Sequence, residues 1–313
     1  MSGMIYLDYC ATTPVDPKVR EAMQYSLEAG YGNPSSMHSA GREAARLIDK
    51  SRCQVADGIG CEPEEIIFTS GATEADNLAL LGVLRSKLPE KTHLITSAIE
   101  HHAVLHAAQQ LEREGYAVTY LPVNSMGLVD PGTVREAIRP ETALISIMMV
   151  NNEMGAIEPI EQIGRIAREA GVLMHTDAVQ AVGLLDVQVN KLNVDMLSLS
   201  AHKIYGPKGI GALYVRKNTR LSPLIYGGPQ ERSLRPGTEN VPGIVGLGTA
   251  LELVTEHKPE EYQRLKRVRD QLIVGLNNCI PGILINGPEV EAAPHIVSAS
   301  FPHGDAEAML LRL

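Results

Sequence analysis

The chain has 313 residues, 44% of them hydrophobic, and a formal net charge of -9. That length and apolar content predict about two domains with a sizeable core. The acidic balance and a pI near 5.6 argue against a nucleic-acid or anionic-membrane surface, since both need concentrated Lys and Arg.

The opening stretch MSGMIYLDYC has neither the charged lead nor the long apolar core of a secretory signal. The longest apolar run, residues 143–150, is far short of the roughly 20 residues that a membrane span needs. A cytoplasmic location is expected. Cys10, Cys53, Cys61 and Cys279 form no CxxC pair, which fits a reducing compartment and no metal site. Each reads as a small buried apolar residue.

From the N-terminus, an amphipathic helix is predicted over 43–59 and a short apolar strand over 66–69. Helices over 74–86, 104–114 and 160–170 then alternate with strands over 94–97, 118–121, 144–150, 172–176, 196–200 and 212–215. This pattern predicts an α/β fold, a mostly parallel sheet sandwiched by helices, with ligands at the carboxyl ends of the strands. The composition shifts at the charged stretch 256–261. A long charged helix over 259–277, short strands around Ile283 and over 296–301, and an amphipathic helix from Gly304 that stops without a C-cap follow it. They predict a smaller α+β domain, incomplete at the C-terminus. The expected division is a large domain over 15–258 and a small one from 1–14 and 259–313.

Chemistry-bearing residues fall just after the strands. Residues 66–75, IIFTSGATEA, read as strand, glycine turn and helix start, where free backbone N–H groups and the helix dipole make an anion site. Gly71 permits close approach and Thr73 adds a hydroxyl; the plainer reading is a helix capped by Thr73 or Ser70. No Gly-Lys-Ser/Thr follows, so this is not a Walker loop. His101 and His102 follow the next strand, where an imidazole can stack on a ring or shuttle protons; adjacent histidines cannot both face one cleft. Asn151 and Asn152 form an amide pair that suits either a ring-oxygen donor or a simple turn.

Asp177 ends a buried strand, with Gln180 one helical turn on. A carboxylate there can hold a proton on a pyridine nitrogen, or merely cap a helix. Finally, SLSAHKIYGPKGIG, residues 198–211, places Lys203 at a strand end. Burial there favours the free amine that condenses with a carbonyl. A phosphate cup, a stacking imidazole, a ring-oxygen donor, a pyridinium partner and an imine lysine are together the requirements of one cofactor, pyridoxal 5'-phosphate.

These residues closely resemble the cysteine desulfurases of iron–sulphur cluster biogenesis, fold-type I enzymes within the class V aminotransferase superfamily. The matching stretches are 6–14, 32–36, 68–77, Glu100-His101, 150–155, 175–183, 198–211 and 235–240. The resemblance implies that Lys203 carries the cofactor and that Ala72, Thr73, Ser200 and His202 hold its phosphate. It implies that Asp177 pairs with the pyridine nitrogen, that Gln180 and Asn152 lie near the ring oxygen, and that His101 stacks on the ring. Thr238 is expected to reach the phosphate of a partner subunit in a homodimer.

The implied activity converts L-cysteine to L-alanine and passes sulphur on as a persulfide, with Lys203 and His101 as catalytic residues and a sulphur-acceptor or scaffold protein as partner. The family usually has Ala where Cys10 stands, a change read as packing. Its nucleophilic cysteine and substrate-carboxylate arginine lie downstream of the helix that begins at Gly304, so neither matches a residue of 1–313. The rival readings are an aminotransferase or selenocysteine lyase on the same scaffold, or a cofactor-binding scaffold subunit without sulphur transfer.

Overall fold

A computed structural model describes residues 5–86, 90–302 and 304–312. Leu313, where the predicted terminal helix ends, and the first four residues of the N-terminal stretch lie outside them. The chain opens with α1 (Pro17–Ala29), capped by Asp16 with Pro17 in its first turn, and α2 (Ser39–Ile59), ended by Gly60 in the left-handed conformation. Then come β1 (Ile66–Thr69), α3 (Ala72–Leu84), β2 (His93–Ser97), α4 (His102–Arg113), β3 (Ala117–Leu121), α5 (Pro131–Ala137) and β4 (Thr142–Ser146). They are followed by α6 (Ile160–Ala170), β5 (Leu173–Asp177), α7 (Val189–Leu192), β6 (Met196–Ser200), β7 (Gly211–Val215) and α8 (Val241–Glu256).

Seven strands form one sheet in the order β1-β7-β6-β5-β4-β2-β3. Pairings among β2 to β6 are parallel, and only β7 runs against its neighbours β1 and β6. Strands β1, β2, β4, β6 and β7 are buried at every position, as a parallel sheet covered on both faces requires. From β4 the chain steps one way along the sheet, through β5 and β6. From β2 it steps the other way, to β3. That switch point opens a crevice at the strands' carboxyl ends.

Helix α8 was not legible from periodicity because it is apolar nearly all round. Its glycines let it approach closely: a Cβ at Gly248 would sit 2.8 Å from the Ser51 side chain, and one at Gly246 2.8 Å from Pro207. The predicted strand over 144–150 ends early, at Ser146. Residues 147–150 remain buried, with the Met149 N–H donating to the Asp177 carbonyl at 2.8 Å.

Beyond α8 lie α9 (Lys258–Cys279), an antiparallel pair β8 (Leu284–Asn286) and β9 (Ser298–Ser300), and α10 (Ala306–Leu310), capped by Asp305. The only buried residue of α9 is Arg269, whose guanidinium donates to the Ala292 and Ala293 carbonyls at 3.0 and 3.2 Å. The cysteine expectation is corrected. Cys53 and Cys279 are exposed and Cys10 and Cys61 only half-buried, because Cys53 falls on the outer face of α2 and Cys279 at the end of the exposed α9. Among the described residues no helix is long and apolar enough to cross a membrane.

Candidate active site

The carboxyl ends of β2, β4, β5 and β6 converge on a cavity of about 700 Å³, within the range of roughly 300–1,000 Å³ typical of small-molecule and cofactor sites. At its floor, Asp177 closes β5 and is buried, its Oδ1 accepting the Val179 N–H at 2.9 Å. Burial pushes its carboxyl up to about 6, against the opposing effects of that N–H and of the Lys203 charge. Lys203 follows β6 in a short 3-10 turn, residues 201–203. The turn is held by the Ala201 carbonyl, which accepts from the Ile204 and Gly206 N–H groups at 3.0 and 2.9 Å. The Lys203 ammonium donates to the Cys10 carbonyl. Burial lowers its pKa, opposed by nearby Cys10 and Asp177, so more of it is free amine than in water.

The other end is shaped for an anion. Gly71 precedes α3 at a φ of 154° and no side chain caps this helix. Neither predicted cap forms: Thr73 makes no such bond, and the Ser70 N–H instead donates to Glu74 Oε2 at 2.7 Å. The first-turn N–H groups of Ala72 and Thr73 therefore lack helical partners where these residues line the cavity beside Ser200 and His202. Glycine is needed at Gly211 for this approach. A Cβ there would lie 2.6 Å from the Leu199 carbonyl and 2.8 Å from the Gly71 backbone. The His202 Nδ1 is 3.2 Å from Thr12 Oγ1, and burial lowers its pKa, helped by Lys203 and Lys208.

Of the two histidines, His101 lines the cavity, and His102 stacks on His106 outside it. His101 caps α4, its Nδ1 accepting the Ala103 N–H at 3.1 Å. Burial, then Lys203, lowers its pKa. The asparagine pair divides its work. Asn151 clamps its own turn, its Oδ1 accepting from Glu153 and Met154 N–H at 3.0 and 2.7 Å, whereas Asn152 lines the cavity. Gln180 donates through Nε2 to the Cys10 carbonyl at 2.9 Å, and its Oε1 lies 3.1 Å from His295 Nε2. Thr238 is exposed and outside the cavity.

Three groups went unnoticed in the sequence. His295 reaches Gln180 from beyond α9, and no local signal marks it. Thr12 belongs to the N-terminal segment that lines one side of the cavity with Asp8 and Cys10. Asp76 lies completely buried in α3; an acid on the inner face of so apolar a helix was the available clue. The donor set fits a phosphorylated pyridine aldehyde: unpartnered helix N–H groups and hydroxyls at one end, a buried acid at the floor, an amine between.

The family model for aminotransferase class-V matches residues 5–313. Over 313 residues the chain is 48% identical to "Cysteine desulfurase IscS" of Dictyoglomus turgidum, covering all of this chain and 79% of that protein. The protein of the same name from Methanosarcina thermophila is 49% identical over 309 residues, 99% of this chain and 76% of its own length. Among solved structures, a "NifS-like protein" superposes with a TM-score of 0.95 at 41% identity, over 98% of this chain and 84% of that one. "SspA in complex with cysteine" gives 0.80 at 47% identity, over 87% and 78%.

Proposed function

Because the chain belongs to the class-V aminotransferase family, as a cysteine desulfurase within it, we propose that its cavity takes pyridoxal 5'-phosphate onto Lys203 and L-cysteine beside it. The overall reaction yields L-alanine and sulphur passed on as a persulfide for iron–sulphur cluster or thio-cofactor synthesis. One observation carries the assignment. The Lys203 amine and the buried Asp177 carboxyl, on the ends of adjacent strands, open into the cavity that the uncapped start of α3 also faces.

In this reading Ala72, Thr73, Ser200 and His202 hold the phosphate, Asp177 meets the ring nitrogen, Asn152 and Gln180 lie toward the ring oxygen and His101 stacks. When bound, the cofactor supplies the carbonyl with which an amine condenses and an electron sink for the amino-acid Cα. The chain does the rest. Asp177, with its carboxyl near 6, is mostly ionised at neutral pH and stabilises a proton on the ring nitrogen. Lys203, its pKa lowered by burial, returns as a free amine able to take and give a proton near Cα. His101, whose pKa is lowered chiefly by burial, is neutral and able to accept a second proton.

Sulphur transfer needs a thiolate. Cys10 is the one cysteine lining the cavity, and burial raises its thiol pKa, so Cys10 is assigned to packing. We further propose a homodimer, supported by the exposed Thr238 and by exposed Tyr31, Met37 and Tyr226. A sulphur-acceptor partner, a cytoplasmic location and the division at 15–258 against 1–14 and 259–313 complete the reading.

The purified protein, loaded with cofactor and given L-cysteine without any keto acid, should release sulphide and alanine in equal amounts when an excess of a dithiol is present, one thiolate of the dithiol taking the sulphur from the substrate and its second thiol then freeing it as sulphide. Product formation only with a keto-acid acceptor would favour the aminotransferase. A higher kcat/KM for L-selenocysteine would favour the lyase.

A further inference from the structure

Under the cavity floor lies a buried polar layer that this chemistry leaves unused. Asp76 is fully buried, lines the inner end of the cavity with Asp177, and has no hydrogen-bond partner for either carboxylate oxygen. His175 Nε2 is 3.6 Å from Asp76 Oδ1. That imidazole is itself fully buried, with Nδ1 2.8 Å from Ser146 Oγ and Nε2 3.0 Å from Ser198 Oγ. Burial pushes it down to about 3, so it is neutral and balances no charge. An ionised Asp76 would thus be buried with no protein hydrogen-bond donor and no charged counter-ion, a costly arrangement for a carboxylate.

Its neighbours make ionisation costlier. Asp177, at the end of β5, repels a charge on Asp76, and Glu100, in the turn after β2, adds to that repulsion only above about 8, where it ionises. Both carboxyls are buried and line the same cavity, and two buried carboxyls in one site do not both ionise; the pair retains one proton. Surroundings decide where that proton sits. Asp177 has the Val179 N–H and the Lys203 charge, and Asp76 has neither. Its carboxyl is held well above the usual range by burial first and Asp177 second. The nearby Ser198 hydroxyl opposes that shift only weakly, since its hydrogen-bond partner is His175 Nε2 at 3.0 Å.

We propose that Asp76 is a positioning residue that carries the one proton of a buried Asp76–Asp177 pair, leaving the full negative charge on Asp177 for the cofactor's ring nitrogen. The second clause rests on the reading of Asp177 given above; the first does not. Substituting Asp76 therefore acts through Asp177.

Two measurements separate these clauses. Infrared difference spectra of the cofactor-free protein at neutral pH should show deuterium-sensitive contributions from protonated carboxyls, among them one that Glu100→Gln removes and a second that Asp76→Asn removes and that Glu100→Gln and Asp177→Asn leave in place. Carboxyl ¹³C NMR of the aspartate-labelled wild-type protein should show one aspartate still protonated at neutral pH, which needs no variant to fold. If every aspartate is ionised, or the second contribution vanishes only in Asp177→Asn, the proposal is wrong.

With cofactor loaded, Asp76→Asn, neutral like the protonated acid, should shift the pH midpoint of the visible band by less than about half a unit. Loss of a neighbouring negative charge would move it by about one unit or more. Asp76→Leu, similar in shape but unable to offer Asp177 a proton, should weaken cofactor binding by about tenfold, the value of the one hydrogen bond that a protonated Asp76 would give the Asp177 carboxylate. Equal affinities for the Asn and Leu variants would overturn the positioning role. An unaltered cofactor affinity and spectrum in Asp177→Asn would sink the ring-nitrogen clause and the reading beneath it, with the protonation result unaffected.

Discussion

Helix α8 spans 16 residues and buries nine of them, all between Val241 and Leu251 inclusive, whereas the longer α9, at 22 residues, buries only Arg269. The first belongs to a body in which strands and helices exclude water on every side. The second is fastened by a few polar ties: Arg269 to the Ala292 and Ala293 carbonyls, the Ala293 N–H to Gly155 at 2.8 Å, and the Ile157 N–H to Glu291 at 2.8 Å. Fold stability is thus concentrated where the chemistry sits, and the α9 region opens at lower cost.

The largest test of that contrast is chemical. Lys203→Ala should remove the visible absorption gained with pyridoxal 5'-phosphate and lower sulphide release by on the order of 10³-fold or more, while the melt stays close to wild type. An unchanged visible spectrum would break the assignment. Next comes packing. Leu247→Ala, at a fully buried site of α8, should cost about 2–5 kcal/mol in a denaturant melt. Leu272→Ala in α9, at a position 46% exposed, should stay within about 0.5 kcal/mol. Equal losses would show that the two regions are held alike. Arg269→Ala strands two carbonyls and should cost about 1–3 kcal/mol, read as faster amide exchange confined to residues 284–300.

The pH dependence is smaller and differs in sign between the regions. Glu100, bonded to the Ser97 hydroxyl at 2.6 Å and the Met148 N–H at 2.9 Å, is pushed up to about 8, and Glu158 up to about 7, both mainly by burial. Their folded values exceed the unfolded ones. Their contribution is therefore complete below about 4.5 and is lost as pH rises through 7 to 8. Glu100→Gln should flatten that decline. Asp270 on α9 is lowered by its bonds to Lys266 and Arg269. Its contribution is instead lost as pH falls, and because it is solvated, added salt should erase most of it.

How far the sequence revealed this depends on where each signal lay. Strands flanked by glycine and polar turns, such as β1 and β6, were legible because their apolar runs are short and sharply ended. That Lys203, Asp177 and Gly71 gather at one cavity was legible because ligands collect at the carboxyl ends of strands in such a sheet. Helix α8 hid behind uniform apolarity, and α1 behind an irregular pattern of partly buried residues. His295 was invisible because its role arises only when a segment from beyond α9 folds back onto Gln180. The cysteines misled because a small apolar residue is tolerated on a helix surface as well as in a core.

The Cys10 carbonyl accepts from both Lys203 and Gln180, and Thr13 exchanges bonds with the His202 carbonyl and the Tyr205 N–H across some 190 residues of chain. A ribosome makes one half of this clasp long before the other. The first-made segment must wait, unpaired, until the lysine turn emerges and finds it. The wall that Asp8, Cys10 and Thr12 give the cavity is therefore completed only after residue 205 has been made.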